Sequence, residues 1–222
     1  MARTTTIAFA ASLALTGCAQ ERSSSEVNCR TSKIPCLEGT VLVSLETERG
    51  TVLMKLDGVN APITAGNFVD LVNRGIYNGT IFHRVMRNPL PFVVQGGDPN
   101  TANPKTPINS FGTGSFIDPL TGEARYVPLE FKLKPGDKFQ YGEELGSPEL
   151  IKQLAISHER GAVAMARSAD PNSASSQFYI ALEALPELDG HYAVFGKVVQ
   201  GMDVVDRLQQ GDKLIRARIK KP

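Results

Sequence analysis

The sequence predicts a mainly β protein, a sandwich or a barrel with few helices. Three observations carry that reading. Apolar residues begin to alternate with period two at Thr40, short strand-like runs recur from there to about residue 219, and few segments show helical spacing. A chain of 222 residues with 41% hydrophobic content fits one core with appendages.

The elements follow in order. Val41, Val43 and Leu45 alternate with Leu42, Ser44 and Glu46, Gly50 turns the chain, and Val52, Met54 and Leu56 return as the second arm of a hairpin. Asn60-Ala61-Pro62 opens a helix that sets Phe68, Leu71 and Val72 on one side and stops at Gly75. Further strands are expected at about 81–86, 92–96, 129–133, 162–166, 177–182, 193–199 and 214–219. A second helix, about 202–209, carries Met202, Val205 and Leu208 at helical spacing. The stretch Asn100 to His158 is long and holds loops such as Lys134-Pro135-Gly136-Asp137-Lys138. Within it, Ser147-Pro148-Glu149 supplies an N-cap, a proline at the first helical position and an early acid, starting an extra helix through Leu150, Ile151 and Leu154. Periodicity does not choose between sandwich and barrel.

The formal charge is +1 and no run of five basic residues occurs, so no nucleic-acid partner is expected. At the N-terminus Arg3 precedes a nine-residue apolar run, Ile7 to Leu15, with no acid before Glu21. That run falls short of the roughly 20 residues of a membrane span and reads as a signal-peptide core. It ends in Leu15-Thr16-Gly17-Cys18, which resembles the bacterial lipobox. The resemblance implies a signal peptide over 1–17, lipid attachment at Cys18, a tether over 18–38 and a folded domain over 39–222. The protein would then be exported and membrane-anchored, periplasmic or on the outer face. Cleavage after Ala19 is the competing reading, and it gives a soluble periplasmic protein. In an oxidising compartment Cys29 and Cys36 can close a short disulfide loop, the alternative being two unpaired thiols in a tail. His83, His158 and His191 form no ligand cluster with the cysteines, so no metal is expected.

The motifs with chemical content begin with Phe82-His83-Arg84-Val85 and Pro91-Phe92-Val93-Val94-Gln95-Gly96-Gly97-Asp98. Then come Met165-Ala166-Arg167, Ser175-Ser176-Gln177-Phe178-Tyr179-Ile180, Leu188-Asp189-Gly190 and Val194-Phe195-Gly196-Lys197-Val198. These blocks, in this order, resemble the cyclophilin family of peptidyl-prolyl cis-trans isomerases, from about Gly39 to the C-terminus. The resemblance implies a closed eight-stranded antiparallel barrel with a helix over each end. It also implies isomerisation of X–Pro bonds in proline-containing polypeptides, no cofactor, and a monomer.

An X–Pro bond isomerises in tens to hundreds of seconds across a barrier of about 18–20 kcal/mol, because resonance stiffens the C–N bond. The catalyst must stabilise a twisted amide whose nitrogen accepts a hydrogen bond. A fork donor that stays charged does this, and Arg84 occupies the family's arginine position. Gln95 matches the glutamine that orients it and reaches a substrate carbonyl. Phe92, Val93, Tyr179 and Leu188 match the lining of the proline slot, and Gln177 a second polar wall. Ala166 and Arg167 match a segment that holds the peptide mainly by its backbone. Alternation puts Val93 with Gln95, and Gln177 with Tyr179, while Phe178 and Ile180 turn to the core. Val93 stands where methionine is common, Arg167 where asparagine is frequent, and Glu187 where tryptophan often stands. The family's histidine position falls on Tyr192, whose ring and hydroxyl can still close the pocket. Gly112-Thr113-Gly114 lacks the remaining residues of a phosphate loop and reads as a turn.

Overall fold

The computed structural model describes Met1, residues 28–29 and residues 31–220. Cys18 and, Met1 apart, the expected signal peptide lie outside the described residues. The sheet residues fall into β1 (Thr40–Thr47), β2 (Gly50–Asp57), β3 (Thr80–Ile81), β4 (Arg84–Val85) and β5 (Val93–Gly96), then β6 (Glu130–Leu133) and β7 (Lys138–Tyr141). They continue with β8 (Ala162–Met165), β9 (Phe178–Ala181), β10 (Val194–Gln200) and β11 (Lys213–Lys220). The helices are α1 (Pro62–Asn73), α2 (Pro148–Ile151) and α3 (Met202–Arg207).

Nine strands form one curled antiparallel sheet in the order β3-β11-β1-β2-β10-β8-β9-β5-β4. This corrects the expected ladder of eight strands closed on itself: the sheet is an open, curled half-barrel with β3 and β4 at its two edges. The reason lies in the segment expected as one strand at about 81–86. Phe82 leaves the ladder and buries its ring in the core. Its N–H donates to the Asp212 carbonyl at 2.9 Å, and its own carbonyl accepts from Gly211 at 3.0 Å. The run is thereby split into β3, which pairs with β11, and β4, which pairs with β5. Both edges of the sheet therefore lie on one short piece of chain.

The period-two pattern sets Val43, Leu45, Val52, Met54 and Leu56 inward, where they are fully buried. From α1, Phe68 reaches the same core and meets the rings of Tyr77, Phe178 and Phe195 at 4.7, 5.2 and 5.1 Å. Such pairs add about 0.5–1.5 kcal/mol each beyond area burial. The helix packs on β2, β10 and β11, while α3 packs on β2.

The tether expected over 18–38 is already packed on the domain at its end. Ile34, Cys36 and Leu37 join the main core, and a disulfide links Cys29 to Cys36 with the Cα atoms 5.8 Å apart. Gly66 on α1 makes room for this strap, since a Cβ there would stand 2.1 Å from the Pro35 carbonyl oxygen.

The long stretch from Asn100 to His158 is not only loop. Lys134 to Asp137 turn a hairpin between β6 and β7, and the second of these strands was not expected. Its Phe139 and Tyr141 alternate as a strand requires; their rings stack at 5.9 Å. The hairpin is tied to the half-barrel through Glu130, only 1% exposed. The N-cap of helix α1 is Ala61, which supplies no side-chain cap. The Glu130 carboxylate takes that place: it accepts from Ile63 N, Thr64 N and Thr64 Oγ1 at 3.2, 2.8 and 2.7 Å. Burial pushes its pKa up, and the three donors pull it back in part. Ser147 caps α2 as the sequence implied, accepting from Leu150 N at 3.2 Å.

Candidate active site

One row of cross-strand partners assembles the site. Arg84 on β4 stands opposite Gln95 on β5, Gln95 opposite Tyr179 on β9, and Tyr179 opposite Ala164 on β8. Directly opposed residues share a face, so Arg84, Gln95, Tyr179 and Ala164 line one surface of the sheet. Alternation sends their neighbours the other way. Val94, Phe178 and Ile180 enter the main core, while Val93, Ala162, Ala164, Tyr179, Ala181 and Val194 form a separate apolar cluster. Phe92, Ala166, Leu188 and Tyr192 pack on that second cluster, partly exposed. The structure thus gathers the sequence-predicted lining residues on one wall, with the arginine at its open edge.

A chain of hydrogen bonds orients the polar side. Gln177 donates through Nε2 to the carbonyls of Gly112 and Gly114 at 3.0 and 2.9 Å. With its amide nitrogen used there, its Oε1 faces Gln95 and accepts from Gln95 Nε2 at 3.2 Å. The Gln95 Oε1 then accepts from the Arg84 guanidinium at 3.2 Å. Each amide has one assignment that satisfies both neighbours. The loop behind this chain is fixed by buried Asp98, whose carboxylate accepts from Asn100 N, Gly112 N and Gly114 N at 2.9, 2.7 and 3.3 Å. A Cβ on Gly114 would stand 2.0 Å from Asp98 Oδ1, so the loop needs glycine there. The Gly112–Gly114 turn, set aside in the sequence, is the backbone support of the polar wall.

Tyr179 is anchored from behind. His158, 2% exposed, faces the Tyr179 hydroxyl through Nε2 at 2.8 Å and Asp189 through Nδ1 at 2.7 Å. Asp189 also accepts from the His158 backbone N–H at 2.8 Å. Burial pushes the Tyr179 hydroxyl pKa well up, with the nearby Tyr192 and Asp189 adding to it. The hydroxyl therefore stays protonated, and in a neutral imidazole Nδ1–H donates to Asp189 while Nε2 accepts from Tyr179. Sequence reading passed over His158. Its only signal was an imidazole just ahead of a strand in a chain with three histidines.

Arg167 lines the cavity beside Gln95 and Gln177, with its guanidinium held by neighbouring groups. Its guanidinium bonds Glu144, donates from Nε to the His191 carbonyl at 2.9 Å, and lies 4.8 Å from the centre of the Tyr192 ring. Tyr192 in turn meets Tyr179 edge-on at 5.8 Å. Glu144 comes from the long stretch between β7 and α2, and its second oxygen faces His191 Nδ1 at 2.8 Å. Those two partners hold its carboxyl below the usual range, His191 contributing most. Glu187 is exposed on a single turn of 3-10 helix, Pro186–Leu188. A cavity of about 400 Å³ opens beside Gln95, Gln177, Ala166 and the Gly112–Gly114 turn.

His83, next to the arginine, is half-buried, and both of its ring nitrogens are shielded from solvent. Burial is the main reason its pKa is lowered from 6.5. The unfolded chain then takes up this proton first, so His83 costs stability as pH falls below about 6.5. Glu130, with a raised pKa, acts in the opposite sense. The expected result is therefore a difference: His83→Gln should lose less stability than wild type between pH 7 and pH 5, read from urea midpoints.

Comparison with known proteins shows which family the chain resembles. The family model for cyclophilin type peptidyl-prolyl cis-trans isomerase matches residues 42–222. A putative thylakoid lumen peptidyl-prolyl cis-trans isomerase of Synechocystis is 37% identical over 198 residues, which is 85% of this chain and 49% of that protein. The chain thus spans about half the length of that relative. A probable peptidyl-prolyl cis-trans isomerase of Brucella suis is 34% identical over 187 residues, 83% of this chain and 79% of its own. Among solved structures, a cyclophilin type isomerase of Cryptosporidium parvum matches with a TM-score of 0.59 at 24% identity, over 82% of this chain and 99% of that one. A cyclophilin from Hirschia baltica matches with a TM-score of 0.55 at 25% identity, over 80% and 73%.

Proposed function

Since the chain belongs to the cyclophilin-type peptidyl-prolyl cis-trans isomerase family, we propose that the wall built by β4, β5, β9 and β8 isomerises X–Pro bonds in exported polypeptides. The observation that carries this reading is the oriented chain Gln177–Gln95–Arg84 beside a separate apolar cluster. Arg84 donates to the amide nitrogen as it loses conjugation, which only the twisted state can accept. That charge-assisted bond contributes about 1.5–3 kcal/mol, or one to two decades of rate. Phe92, Val93, Tyr179 and Leu188 hold the proline ring in an apolar slot while the far side of the bond turns. Gln95 is already bonded to Arg84 and bridges it to a substrate carbonyl. Ala166 offers its backbone to the peptide, and Arg167 with Tyr192 forms a rigid rim. No cofactor enters this chemistry.

A protease-coupled assay on an Ala-Pro peptide tests the reading: catalysis well above the uncatalysed rate is expected at micromolar protein. A peptide that binds without faster isomerisation would instead identify a binding module.

For location we propose export with residues 1–17 as signal peptide, a lipid on Cys18, and residues 39–222 as the isomerase domain. The Leu15-Thr16-Gly17-Cys18 sequence supports the anchor, and the thylakoid lumen relative supports export. No helix among the described residues is long and apolar enough to cross a membrane. Acyl burial adds roughly 0.8 kcal/mol per CH₂, and more than one chain makes attachment stable. Cys18→Ser should leave the domain active but move it from the detergent to the aqueous phase. An intact wild-type mass beginning at Gln20, without added lipid, would contradict the anchor and indicate a soluble isomerase.

A further inference from the structure

The outward face of β11, β1, β2 and the part of β10 beyond Val194 lies outside the apolar cluster of the site. Register places Lys220 opposite Leu42, Leu42 opposite Lys55, and Lys55 opposite Lys197, which makes one row across four strands. In the parallel rows, Arg218 stands beside Ser44 and Arg216 beside Glu46. All five cations are exposed. Among the outward residues of these strands the acids are Glu46, 3.7 Å from Arg218, and Asp57. Asp57 is turned to its own loop, accepting from Val59 N, Asn60 N and Asn60 Nδ2. Two lysines directly opposed across strands repel each other, and the sheet gains nothing by placing them so. Between the cations sit exposed aliphatic side chains, Leu42 at 36% and Val199 at 44%.

Cations spread over a flat sheet face, with short aliphatic groups among them, fit an anionic headgroup layer rather than one small ligand. We propose that this face rests on anionic lipid. The row through Leu42 lies two residues from Thr40, where the N-terminal segment enters β1, so the face adjoins the root of the chain's own N-terminus. The substrate wall lies toward the other end of the sheet order, on β8-β9-β5-β4 with Val194 at the start of β10, and the basic row meets it where Lys197 stands opposite Ala162. This inference goes beyond the isomerase reading and does not need Cys18 to carry lipid.

The experiment uses the full chain with Cys18→Ser, so that no acyl group contributes. Co-sedimentation is measured with vesicles of phosphatidylcholine alone and of phosphatidylcholine containing about one-third phosphatidylglycerol, at about 0.1 M salt. Each basic residue near such a surface is worth roughly fivefold in partitioning. The combined variant Lys55→Gln, Lys197→Gln, Arg218→Gln and Lys220→Gln should therefore lose at least about tenfold of the binding to anionic vesicles. Its isomerase activity and melting temperature should not change. A control removing equal charge elsewhere, Lys105→Gln, Lys134→Gln, Lys138→Gln and Lys152→Gln, should retain the binding. Equal partition to both vesicle types, or equal loss in the control, would overturn the proposal. So would displacement by polyglutamate at stoichiometric amounts, which would assign the face to acidic polypeptides. Activity measured in the same samples keeps failure here separate from failure of the isomerase reading.

Discussion

Arg84→Ala is expected to lower kcat/KM on an Ala-Pro peptide by at least about tenfold, the loss of one charge-assisted hydrogen bond. Stability should hardly move, because Arg84 is exposed and its side chain bonds the Gln95 side chain across one strand pair. Arg84→Lys should recover only part of the rate, since a point charge cannot serve Gln95 and the amide nitrogen with one rigid fork. The split between binding and rate matters more than the total. If the apolar wall carries most of the peptide affinity, as proposed, KM should change less than kcat. A variant with near wild-type kcat would remove arginine from the mechanism.

The second large effect concerns stability. Glu130→Ala should destabilise the protein by at least about 2 kcal/mol, read from the urea midpoint. It removes the acceptor for two buried backbone N–H groups and one hydroxyl at the start of α1. That helix carries Phe68 into the aromatic centre of the core, so the loss is not confined to the hairpin. Glu130→Gln keeps one acceptor oxygen and should cost less. Unchanged stability in the alanine variant would mean that water replaces the carboxylate and that the long stretch does not support the half-barrel.

Much of the fold was legible because alternation is a local signal. The β1–β2 hairpin follows from period two, and the inward Phe178 and Ile180 follow from period two once the resemblance sets Gln177 and Tyr179 on the substrate side. The motif blocks supplied the candidate residues, and pairing across β4, β5 and β9 puts Arg84, Gln95 and Tyr179 in one row. What stayed hidden depends on contacts distant in sequence. Nothing near Glu130 says that it meets Thr64, 66 residues away. His158 meets Tyr179 across 21 residues, and Glu144 reaches Arg167 across 23. The split between β3 and β4 was also invisible, because Phe82 leaves the ladder for a core that forms only when the sheet curls. β7 was missed for a different reason. Its alternation was present, but Pro135 and Gly136 made the whole neighbourhood read as loop.

The most direct test of the account is two-dimensional exchange NMR of an Ala-Pro peptide with catalytic amounts of the protein. No protease is needed, and the same spectra report binding. Wild type should give cross-peaks between the cis and trans forms that are absent without protein. With Arg84→Ala those cross-peaks should fade while the peptide shifts still move on binding. Wild-type protein that shifts the peptide signals but produces no exchange would contradict the catalytic reading and leave a groove that only holds proline.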